Sequence, residues 1–205
     1  MDTNFEVNKV VLTKQIQETF TDWPDAESSA VIYFFTGCSN KCNGCQNSHL
    51  AEIWSAYCNL NIDASPFVGY DKTNAGVIKF SKTVYETAKK YNTNKVVFQG
   101  GDPFFINNRE FVKDFLKYNK ARKIIAEDYV DVCIYTGYEI EDVRKFLDNE
   151  IDLVSFIKCG RFDFNNLNLY AGTQKTEDRL VFASANQKLY NGKFELLSKD
   201  GIYTF

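Results

Sequence analysis

The stretch AVIYFFTGCSNKCNGCQN, residues 30–47, decides how the rest of the chain is read. Its first six residues are an unbroken apolar run rich in β-branched and aromatic side chains, the pattern of a strand buried on both faces. The run passes directly into a polar loop carrying Cys38, Cys42 and Cys45 in the spacing CxxxCxxC, with no fourth cysteine near. Three thiolates on one tight loop can hold three irons of a cubane cluster and leave the fourth iron open to a substrate. Two other chemistries suit the same residues. Structural zinc wants four closed ligands, and His49, the single histidine, lies four residues beyond Cys45 and would complete a Cys3His set. A disulfide with one spare thiol is the third option, better suited to a secreted protein.

Working outward, short β-rich runs alternate with amphipathic helical stretches. After the strand at residues 30–35, helices are predicted at 48–57, 81–91, 108–118 and 139–147, with strands at 95–99 (KVVFQ), 131–135 (DVCIY) and 151–157. Residues 59–74, rich in Gly, Pro, Asp and Asn, read as a loop or insertion. Beyond Gly160 the pattern loosens, with strand-like RLVF and FELLS and a terminal turn and strand in KDGIYTF. Strands alternating with helices imply parallel strands with right-handed crossovers, an α/β layer or partial barrel. No repeat or low-complexity linker divides the chain, so a single domain over residues 1–205 is expected.

Composition excludes several classes. The 24 Lys and Arg are outnumbered by 27 Asp and Glu, net −3 at pH 7, with no basic stripe to suggest a nucleic-acid partner. No long apolar span, signal peptide or lipidation signal stands out, so no membrane partner is expected and a reducing, cytoplasmic setting is the default. Six cysteines fit that setting, because Cys58, Cys133 and Cys159 are scattered without framework spacing. The 18 Phe and 12 Tyr favour a well-filled interior.

In parallel α/β folds ligands gather at the carboxyl ends of the strands. There the cysteine loop follows the first strand, QGGDP (residues 99–103) the second and YTGY (residues 135–138) the third, so three polar, glycine-rich motifs share one rim. Gly100 and Gly101 would let backbone approach a ligand closely, and Asp102 adds a carboxylate before Pro103. Taken alone, GGDP also reads as a tight strand-to-helix connection.

The combination of CxxxCxxC with Gly-Gly-acid-Pro resembles the radical S-adenosylmethionine (SAM) superfamily. Within it, FFTGCSNKCNGCQN, VVFQGGDPF, CIYTGYEIEDV and the late pairing of CGRF with SANQKLY resemble the activating enzymes of glycyl-radical proteins, and among them the activases of anaerobic, class III ribonucleoside-triphosphate reductase. The resemblance implies a partial (β/α) barrel of the radical SAM type with a mostly parallel sheet. It implies a [4Fe-4S] cluster on Cys38, Cys42 and Cys45, with SAM chelated at the open iron. It places Gly44, Gly100, Gly101 and Asp102 against the cofactor, and has Tyr135, Thr136 and Gly137 line the SAM pocket. The implied reaction is reductive cleavage of SAM to a 5′-deoxyadenosyl radical that forms a glycyl radical on the reductase large subunit. An electron donor such as flavodoxin is implied as well. An activase of another glycyl-radical enzyme, such as formate lyase, is the nearer alternative, and a zinc-stabilised non-catalytic interaction domain the more distant one.

The chain also departs from that pattern. Gln99 replaces the small residue usual before the glycines, Gly44 stands where many radical SAM enzymes have an aromatic residue, and Cys159 stands where relatives tend to carry Asp. Cys159 and Cys133 are expected in the core, and His49 on a helix beside the loop.

Overall fold

The computed structural model describes residues 9–25, 29–51, 66–125, 127–168 and 173–205. Two short strands, β1 (Lys9–Thr13) and β2 (Gln17–Thr19), precede AVIYFF, which is β3 (Ala30–Phe35). Then come β4 (Phe67–Asp71), α1 (Asn74–Lys90), β5 (Lys95–Gly100), α2 (Arg109–Ile124), β6 (Asp131–Tyr135), α3 (Ile140–Phe146) and β7 (Phe156–Cys159). The last third adds β8 (Gln174–Lys175), β9 (Arg179–Val181), β10 (Lys188–Asn191) and β11 (Ile202–Thr204).

The main sheet runs β10-β7-β6-β5-β3-β1-β4, with β2 also paired to β3. Its centre, β3, β5, β6 and β7, is parallel, and β1, β2, β4 and β10 add antiparallel pairs around it. The architecture is mixed α/β; the described strands form an open sheet ending at β4 and β10, not a closed barrel. Strands β8, β9 and β11 form a small antiparallel sheet. No helix among the described residues is long and apolar enough to cross a membrane.

Strand alternation sends Val31, Tyr33, Phe35, Val96, Phe98, Val132, Ile134, Ile157 and Cys159 into the core that the helices cover. The intervening Ile32, Val97, Cys133 and Tyr135 face the other way, onto Leu180, Phe182 and Trp23. Helix α1 begins where the Thr73 side chain accepts a hydrogen bond from the Gly76 N–H, and it buries Val77, Phe80, Val84 and Ala88 at helical spacing. Phe80, fully buried, stacks at 5.0–6.3 Å against Tyr33, Phe35, Tyr70, Phe98, Phe111 and Phe115. That cluster uses much of the aromatic surplus and sets the helices against the sheet. Each such ring contributes ~1.5–3 kcal/mol of burial.

Four expectations change. The helix expected at 81–91 starts at Asn74, because Thr73 supplies the cap before the apolar periodicity becomes obvious. Within the expected 59–74 loop, Phe67–Asp71 is a strand paired residue for residue with β1, and Asn74 already belongs to α1; residues 59–65, Cys58 and most of the helix at 48–57 lie outside the described residues. The strand expected at 151–157 runs instead from Phe156 to Cys159, after a bend in which Asp152 takes a positive φ. FELLS forms no strand beyond one bridge, Tyr190 to Leu196, because Phe194 turns at positive φ; the partner of β7 is Lys188–Asn191, from SANQKLY.

Candidate functional site

Register fixes which loops meet. Phe35 is paired with Gly100 and Tyr135 with Lys158, so β3, β5, β6 and β7 deliver their carboxyl ends to one rim. A cleft of about 130 Å³, open to solvent, lies there; Cys38, Cys42, Cys45, Gly100, Tyr135 and Lys158 are among its walls.

The three cysteines are free thiols, each half-buried. Lys41 (φ 45°) and Gly44 (φ 72°) turn the backbone between them, and the Cys45 N–H donates to the Cys42 carbonyl at 3.3 Å. The Asn40 N–H donates to Cys38 Sγ at 3.4 Å, and the Phe162 N–H to the Cys42 thiol. Burial nevertheless pushes the Cys38 and Cys42 thiols up, so without a metal they hold their protons. His49 is exposed on a helical turn beginning at residue 48. Among the described residues no three His, Cys, Asp or Glu side chains stand close enough to hold a single metal ion, and the thiols surround a shared cavity rather than a point.

Asp102, 1% exposed, ties the loops together. Its carboxylate accepts from the Thr136 hydroxyl at 2.8 and 3.0 Å, the Gly137 N–H at 2.9 Å, the Phe104 N–H at 2.9 Å and Asn40 Nδ2 at 3.3 Å. Burial still raises its pKa to about 6 against these stabilising hydrogen bonds. Asn108, also buried, donates from Nδ2 to the carbonyls of Thr36 and Asp102. The glycines before Asp102 serve the same closure. Gly100 sits at φ 117°, and a Cβ on Gly101 would lie 2.4 Å from the Gly37 carbonyl oxygen. The Gly101 and Asp102 N–H groups donate to the Phe35 and Gly37 carbonyls, both at 2.8 Å. The absence of side chains at these glycines thus admits the backbone leading into the cysteine loop, and both glycines also line the cleft.

Lys158 enters the cleft from β7, on the face opposite Ile157 and Cys159. Its ammonium lies 5.3 Å from the Tyr135 ring centre and 5.9 Å from that of Phe182, and burial lowers its pKa to about 8. The Tyr135 hydroxyl is occupied, donating to the Asp22 carbonyl at 2.9 Å. Cys133 and Cys159 are fully buried, as expected of packing residues.

Comparison with known proteins agrees with this geometry. The family model described as a 4Fe-4S single cluster domain matches residues 27–189, from just before β3 to within β10. The chain belongs to the 4Fe-4S single cluster domain family. It is also similar to the anaerobic ribonucleoside-triphosphate reductase-activating protein of Enterobacteria phage T4, with 28% identity over 147 residues, 70% of this chain and 78% of that protein. No solved structure matches it.

Membership in the 4Fe-4S single cluster domain family bears out the resemblance read from the motifs. Several residues that shape the rim escaped the sequence reading. Asn40 and Asn108 act through contacts 62 and 72 residues away, which no local pattern encodes. Lys158 had a signal: a lysine inside the apolar strand FIKC, on the same strand parity as Tyr135 across the ladder.

Proposed function

We propose that the chain activates an anaerobic ribonucleoside-triphosphate reductase as a radical SAM enzyme, with Cys38, Cys42 and Cys45 holding a [4Fe-4S] cluster. The observation that carries this is the fastening of three loops by one buried carboxylate, Asp102, which keeps three free thiols beside the GGDP and YTG backbones on one rim. Three thiols spread around a cavity fit a cluster with one iron left for a ligand. When bound, cluster and SAM supply reductive cleavage of the sulfonium to methionine and a 5′-deoxyadenosyl radical, which takes hydrogen from a glycine of the reductase.

The chain's own residues bind, orient and enclose. Gly100 and Gly101 build the wall for the methionine amino end, and Asp102, its carboxylate turned inward, braces that wall from behind. Tyr135, Thr136 and Gly137 form the neighbouring wall, and Gly44 brings backbone to the cofactor's edge under Phe164. The open mouth of the cleft suits a glycine presented by a large partner. In this reading the open sheet is a partial barrel of the radical SAM type within a single domain. The protein works in the cytoplasm and takes electrons from a donor such as flavodoxin.

Anaerobically reconstituted protein given SAM and a strong reductant is expected to make 5′-deoxyadenosine, and the Cys42→Ala variant to make none. Zinc in place of iron, with no SAM cleavage, would overturn the proposal in favour of a non-catalytic domain. A glycyl radical signal that appears in formate lyase and not in the reductase large subunit would move the target to the other glycyl-radical class.

A further inference from the structure

Other partly covered lysines among the described residues have a hydrogen-bonding partner: Lys95 pairs with Asp25 at 2.6 Å and Lys113 with Glu110 at 2.9 Å, while Lys120 donates to the Ile151 carbonyl at 2.9 Å and Lys175 to the Trp23 carbonyl at 3.3 Å. Lys158 has no carboxylate paired to it among the described residues; its ammonium rests between two aromatic rings and reaches the cleft that Cys42 lines. Asp102, the buried acid whose charge influences it, has its oxygens taken up by Thr136, Gly137, Phe104 and Asn40. A cation taken partly out of water without a counter-ion is costly, and the ring faces offset only part of that cost, so its position suits negative charge that arrives with a ligand.

The three cysteines would bring that charge as thiolates. The described cations lining the cleft are Lys158 and Arg161, and Arg161 is exposed, where water and salt screen it. Lys158 is fixed by its ladder register opposite Tyr135 and by the rings, so its field falls on the cysteine loop with little screening. The reduction potential of a cluster depends on its net charge and on the charges and hydrogen bonds around it. We infer that Lys158 is a positioning charge that raises the reduction potential of the group held by Cys38, Cys42 and Cys45, easing entry of one electron into the cleft. This rests on the proposed function for the presence of a cluster, and adds the residue that sets how readily it is reduced.

The test is a redox titration of the reconstituted protein without SAM, followed by electron paramagnetic resonance, with dithionite as the electron source. Omitting SAM removes any contact between Lys158 and a ligand carboxylate. Lys158→Met is expected to lower the midpoint so that the reduced fraction at a fixed potential falls about tenfold, which is about 59 mV for one electron. Lys158→Arg should keep the wild-type midpoint, and so should Lys79→Met, an exposed control on α1. Iron and sulfide content measured in parallel separates loading from tuning, and Lys158→Gln reads the same quantity if the Met variant does not load. A neutral variant that carries a full cluster at the wild-type midpoint overturns the inference and leaves the proposed function standing. A wild-type chain that takes up no four-iron cluster overturns both.

Discussion

Replacing Asp102 by Asn keeps the size of a side chain that is 1% exposed and removes its titration. The folded chain holds a proton on Asp102 up to about pH 6, against an ordinary value of 3.8, because burial penalises the carboxylate more than its hydrogen bonds repay. Between those values the folded state binds more protons than the unfolded one, so stability falls as pH rises through the window and levels off above it. One pKa unit corresponds to ~1.4 kcal/mol, so the whole window is worth about 3 kcal/mol, of which about 1 kcal/mol falls between pH 5 and 7. The assay is urea unfolding of the metal-free chain at several pH values, followed by tryptophan fluorescence, for wild type and Asp102→Asn. All other titrating groups are common to both proteins, so the difference isolates Asp102. Wild type is expected to lose about 1 kcal/mol relative to the variant from pH 5 to pH 7. Parallel curves would refute the buried position of the carboxylate. A wild type that gains on the variant as pH rises would mean that a nearby cation such as Lys158, not burial, governs Asp102.

Other outcomes follow from the same contacts. Asp102→Ala leaves the Phe104 and Gly137 N–H groups and the Thr136 hydroxyl without their acceptor; at ~1–3 kcal/mol for each buried unsatisfied donor, unfolding measurements at pH 7 should show a loss of about 3 kcal/mol or more. Gly101→Ala places a methyl 2.4 Å from the Gly37 carbonyl oxygen and should push the cysteine loop off the rim, read as lower iron uptake on reconstitution. Phe80→Ala empties the centre of the aromatic cluster and should cost about 3–5 kcal/mol in denaturant unfolding. Cys38→Ala, Cys42→Ala and Cys45→Ala should each abolish the cluster's absorption, whereas His49→Ala, an exposed position, should keep it.

The sequence by itself determined the parallel centre and the rim. AVIYFF, KVVFQ and DVCIY are apolar enough to be strands between helices, and each ends at a polar, glycine-bearing loop, so their carboxyl ends and motifs had to fall together. The cysteine spacing is local information and was legible for the same reason. Tertiary structure alone decided how those motifs are joined. The glycines of GGDP line the cleft and also admit the Phe35 and Gly37 carbonyls, and Asp102 reaches Asn40 and Gly137, 62 and 35 residues away. It also decided the edges: β4 emerged from an apparent loop because β1 offers it a full ladder, and β10 displaced FELLS because Phe194 turns the chain away. Strand centres are written in runs of side chains, whereas edge strands and buried polar contacts depend on which distant backbone supplies the missing partner.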